Sequence, residues 1–146
     1  MFVELWEIER AAQLRVLVRA ARRPDAQAKL RYGVALWRLW RRVSAERQFE
    51  AAARLAPNDP AARTAAAVGA FTKRGPVRAF GRLGPLTGEF PKAAVVRFEL
   101  GLLLIWTRQS RKGEAQLRLA IAEEPESVYA EEARRFLDAI AKTGTK

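Results

Sequence analysis

The sequence contains no cysteine and no histidine. The first absence excludes disulfides, thiolate metal sites and cysteine nucleophiles. The second removes the commonest general base and the commonest metal ligand. Carboxylates still remain for acid–base work. Their adjacent pairs, Glu123-Glu124 and Glu131-Glu132, fall at helix ends and are expected to diverge into solvent. The reading is of a non-enzymatic chain with no catalytic residue, no metal and no cofactor. Long apolar runs are missing too. The longest, Leu100 to Trp106, is far too short to cross a bilayer. The opening Met1-Phe2-Val3-Glu4-Leu5-Trp6-Glu7 carries acids where a signal peptide wants positive charge. A cytoplasmic location is the expectation.

What is present is globular. Hydrophobic residues make up 49% of 146 residues and charged ones 29%, enough for one domain with a core of its own. Alanine is abundant and β-branched residues are few, which favours helix over sheet. The net charge is +11, from 27 Lys+Arg against 16 Asp+Glu. That balance attracts anionic partners, although high-GC coding also produces arginine in excess of lysine.

Prolines recur at Pro57, Pro91 and Pro125, 34 residues apart each time. A fixed period of this length marks a stacked repeat. Small residues fall in register at Gly33, Ala67 and Gly101, and again at Ala45, Ala79 and Gly113. Bulky Phe49, Leu83 and Leu117 follow, then Ala52, Leu86 and Ala120. Leu36, Ala70 and Leu104 also align. Antiparallel helices need small residues where their axes cross closely and large ones in the groove beside them. The proline stops each second helix.

On these residues the chain resembles the tetratricopeptide repeat (TPR) family over about residues 26–125. The family's signature tryptophan near the start of each first helix is absent. The resemblance implies an all-α, right-handed α-α superhelix, a solenoid of about three helix-turn-helix units. One domain, 1–146, is expected: an N-terminal helix at 2–23, repeats at 26–57, 58–91 and 92–125, and a capping helix at 126–142. Within the repeats the helices are expected at 26–41, 44–55, 60–73, 76–88, 91–108 and 111–123. Asp59 and Ser127 are the expected caps of the helices that follow them. Gly81, Gly84, Pro85 and Gly88 are expected to kink or fray the second helix of the second repeat near Gly84. They do not make a phosphate loop, because no Gly-Lys-Ser/Thr ends the run and no strand precedes it. The tail 143–146 is expected to lack order.

The resemblance also implies function, namely a protein-interaction adaptor whose first helices line a concave, peptide-binding groove. Carried over by position, that groove holds Leu30, Val34, Trp37 and Arg38, then Thr64, Val68 and Phe71, then Phe98, Leu102, Ile105 and Trp106. The surface is apolar enough to mark an interaction site. Its occupant is another protein's peptide or helix; the alternatives are the N-terminal helix itself or a second copy of the chain, giving a homodimer. Some family members clamp acidic C-terminal peptides with groove lysines and asparagines. No matching asparagine stands here, so that ligand class is not expected. Turns within repeats are basic: Arg41 and Arg42, then Lys73, Arg74 and Arg78, then Arg108, Arg111 and Lys112. Such an edge suits RNA, anionic lipid or an acidic protein, or simply complements helix dipoles. No nucleic-acid-binding motif accompanies it.

Overall fold

The computed structural model describes residues 2–70 and 76–144, with side chains from Arg10 onward. Eight helices and no strand occur among the described residues. They are α1 (Phe2–Ala21), α2 (Ala26–Arg38), α3 (Arg42–Leu55), α4 (Pro60–Gly69), α5 (Val77–Glu89), α6 (Ala94–Trp106), α7 (Ser110–Glu123) and α8 (Val128–Gly144). The chain forms two compact units, Met1–Gly69 and Ala70–Lys146. The second sequence repeat thus gives α4 to one unit and α5 to the other.

In the first unit, Asp25 caps α2: its carboxylate accepts from the Gln27 and Ala28 amides at 2.9 and 3.2 Å. Across the same corner the Lys29 ammonium donates to the Ala21 carbonyl at 2.6 Å and closes the end of α1. Asp59 caps α4 through the Ala61 amide at 2.9 Å, as its position predicts. The core joins Leu36, Ala45, Phe49 and Ala66, with Leu30, Tyr32 and Trp37 packed against it. Phe49 decides how α2, α3 and α4 meet. A Cβ built on Gly33 falls 2.5 Å from its ring, and one on Gly69 falls 2.8 Å from it. The ring fills the space that two side chains would otherwise take.

In the second unit, α6 and α7 cross still more closely. A Cβ on Gly101 meets the Gly113 carbonyl oxygen at 3.0 Å, and one on Gly113 meets the Gly101 oxygen at 2.7 Å. Ala94, Phe98, Leu117, Ala120 and Ala133 form the core beside this crossing. The hydroxyl of Ser127 accepts from the Ala130 amide at 3.1 Å and caps α8. Helix α8 reaches Gly144, past the expected end of order.

The turns α2–α3 and α6–α7 share one geometry. Trp40 (φ 61°) and Arg108 (φ 66°) both adopt the left-handed conformation. Arg41 donates to Leu36 and Trp40 to Trp37; Gln109 donates to Leu104 and Arg108 to Ile105. Both are Schellman C-caps, in which glycine is the usual left-handed residue. A side chain there costs on the order of 1 kcal/mol. These caps end α2 at Arg38 and α6 at Trp106, short of the expected 41 and 108.

Two further expectations are corrected. Helix α5 is uninterrupted from Val77 to Glu89 with Pro85 inside. Gly81 and Pro85 are both exposed, so water can serve the Gly81 carbonyl that proline leaves without its helical donor. The buried stripe Ala79, Leu83 and Leu86 lies on other positions and holds the helix down. Second, Glu124 does not simply point into solvent. Its carboxylate accepts from the Ala94 amide at 2.8 Å and caps α6 from the end of α7. Ala93, the residue before α6, has no side chain able to do so.

Candidate functional site: an apolar groove between α1 and α2

Helices α1 and α2 are joined by the short Arg22–Asp25 corner and pack side by side. Between them runs an open groove of about 860 Å³. Leu14 and Leu17 line it from α1, and Leu30, Val34 and Leu39 from the α2 side. Arg10, Arg31 and Arg38 stand along it, and no carboxylate lines it among the described residues. All three arginines are exposed, and Val34 is 44% exposed. The result is an apolar floor with a basic margin, in a cleft within the roughly 300–1,000 Å³ of ordinary ligand sites.

The carried-over groove residues fare differently from one another. Leu30, Val34 and Arg38 come together in this cleft. Trp37 is half-buried against the first unit's core, its ring 6.4 Å from that of Phe49. In α4, Thr64 is buried, with its hydroxyl unpartnered, and Val68 is half-buried. Phe71 lies outside the described residues. In α6, Phe98 is buried; its ring lies 5.8 Å from Tyr129 and 6.1 Å from Phe136 of α8. Leu102 and Ile105 pack on the same core. Helix α8 therefore covers much of the face that α6 was expected to offer. Trp106 alone of the α6 set is open, at 76% exposed.

Of the basic edge, Arg41, Arg78, Arg108, Arg111 and Lys112 are exposed, while Lys73 and Arg74 lie outside the described residues. Arg42 is half-buried. Its guanidinium sits 4.2 Å from the Trp37 ring and 4.8 Å from that of Trp40, a stacked cation.

No family model matches the sequence, and no curated relative matches it. Solved structures do match. The first TPR of Spaghetti (RPAP3), bound to HSP90 peptide SRMEEVD, aligns with TM-score 0.56 at 14% identity, over 80% of this chain and 94% of that one. YrrB, a TPR protein with an unusual peptide-binding site, aligns with TM-score 0.59 at 19% identity, over 91% of this chain and 70% of that one. The fold is of the TPR type. MamA 41-end from Desulfovibrio magneticus RS-1 agrees, with TM-score 0.56 at 23% identity over 88% of this chain and 75% of that one. The TPR fold explains the register of small and bulky residues: they are the crossing points at Gly33, Phe49, Gly101, Gly113 and Leu117.

Three features were missed from sequence. Leu14 and Leu17 escaped because a helix outside the repeat offers no register to carry over. Trp40 escaped because nothing local marks its left-handed backbone. Glu99 had a visible signal, being the one acid in the apolar stretch Ala93–Trp106. Burial pushes its carboxyl up from 4.5 to about 7. Because the folded-state value is raised, its contribution is fully present below the unfolded value, near 4.5, and is lost as pH rises through 7. Glu99→Gln is thus expected to be more stable than the parent at pH 8 and equal to it at pH 4. Urea unfolding at the two pH values checks this, and an equal midpoint at pH 8 would refute it. Among the described residues no group of acids can hold a metal, and no helix is long and apolar enough to cross a membrane.

Proposed function

We propose that the protein is a non-enzymatic adaptor that binds a helix or peptide of another protein in the groove between α1 and α2. One observation carries the reading: an open cleft of about 860 Å³ that joins five aliphatic side chains to three exposed arginines. Apolar anchors give affinity in such a cleft, and the arginines select against basic partners. Peptide binding by two structurally similar TPR proteins supports it. The ligand is expected to carry apolar residues at helical or alternate spacing, with acids at its flanks.

A peptide-display selection against the full chain tests the proposal. Selected peptides should bind the parent and lose at least tenfold in affinity with Val34→Glu, which sets a charge on the apolar floor. Val34 is 44% exposed, so the substitution leaves the fold intact; circular dichroism confirms that. Peptides that bind Val34→Glu as well as the parent would place the ligand elsewhere.

A further inference from the structure

At Trp40 two unfavourable features coincide. Its backbone is left-handed, at φ 61°, where glycine is the residue of least strain. Its indole is 75% exposed to water. The turn itself requires neither, because glycine closes a Schellman cap and exposes nothing. The indole is also held: the Arg42 guanidinium stacks on it and on Trp37. Beside it stand Val43, 66% exposed, and Leu39, 38% exposed. Arg41 and Arg47 are exposed around them. The nearby acids of α3, Glu46 and Glu50, are half-buried and already engaged. The second unit repeats the chemistry at its own turn. Trp106 is 76% exposed, followed by the left-handed Arg108 and the exposed Arg111 and Lys112.

We infer that the α2–α3 turn is a docking tip for an anionic membrane surface, with Trp40, Leu39 and Val43 entering the headgroup boundary and Arg41 and Arg47 meeting anionic headgroups. Tryptophan is the side chain most at home at that boundary, with an apolar body and one polar N–H. Cations beside it gain from the negative surface potential. Single-stranded nucleic acid is the weaker fit. It wants open aromatic faces to stack on, whereas one face of Trp40 already carries Arg42, and Val43 and Leu39 cannot stack on a base. Leu39 is shared with the edge of the groove, but Trp40, Arg41, Val43 and Arg47 do not line it, so the inference does not rest on the groove.

Sedimentation of the full chain with vesicles tests this, using phosphatidylcholine alone and phosphatidylcholine with 30% phosphatidylserine. The parent is expected to bind the anionic vesicles far better, and about tenfold more weakly in 0.5 M than in 0.1 M salt. Trp40→Gly relieves the left-handed strain and so keeps the fold; it is expected to bind the anionic vesicles about tenfold more weakly. Val34→Glu should leave vesicle binding unchanged, which separates this surface from the groove. The proposal is overturned if anionic vesicles do not sediment the parent at 0.1 M salt. It is overturned equally if Trp40→Gly binds them as the parent does, or if a single-stranded oligonucleotide binds with the same dependence on Trp40 and vesicles do not.

Discussion

Phe98→Ala is expected to lower stability by about 3–5 kcal/mol, the cost of removing a buried aromatic ring and leaving a cavity. Phe98 is 8% exposed and belongs to the core with Ala94, Leu117, Ala120 and Ala133. Two rings of α8, Tyr129 and Phe136, close over it at 5.8 and 6.1 Å. Alanines supply much of the surrounding core, and they cannot swing in to fill the space. Trp106→Ala on the same helix should change stability by under about 0.5 kcal/mol, because its indole is 76% exposed. The midpoint of urea unfolding measures both. Equal losses would show that α8 does not cover α6, and would return Phe98 to the binding surface where its position in the repeat first put it.

Gly113→Ala should cost about 2–3 kcal/mol, for a different reason. The new Cβ would stand 2.7 Å from the Gly101 carbonyl oxygen and 3.0 Å from the Ile105 amide nitrogen. Those are backbone atoms, so no rotamer change relieves the overlap; α6 and α7 must move apart. Leu117 would then lose its seat against Gly101, where an added Cβ already meets its Cδ2 at 2.9 Å. Gly81→Ala is the counterpart. Nothing lies within 4 Å of a Cβ there, and the backbone is helical. Alanine should stabilise that site by roughly 0.5–1 kcal/mol through its helix propensity. Thermal unfolding of the two variants should bracket the parent. A Gly113→Ala protein as stable as the parent would mean that the helices do not cross at this point.

The repeat was legible because close crossing imposes a residue type. Small residues stand at positions 33, 67 and 101, with Gly33 and Gly101 too crowded for an added Cβ, and this sets a 34-residue register. Caps were legible for the same local reason: Asp59 and Ser127 act on amides two and three residues away. The α6 cap was not, since Glu124 reaches Ala94 across 30 residues. The groove was only partly readable. Register named Leu30, Val34 and Arg38, but their partners Leu14 and Leu17 lie on a helix outside the repeat.

By itself, then, the sequence determined an all-α repeat protein of basic charge and without histidine or cysteine chemistry. These are matters of composition, period and local hydrogen bonding. Only the tertiary structure decided which apolar residues are covered. Phe98 and Trp106 look alike in an amphipathic pattern, yet one lies under α8 and the other in water. Periodicity tells which face a residue is on; burial depends on what the rest of the chain lays over that face, and this is a non-local sum over packing that no local pattern encodes.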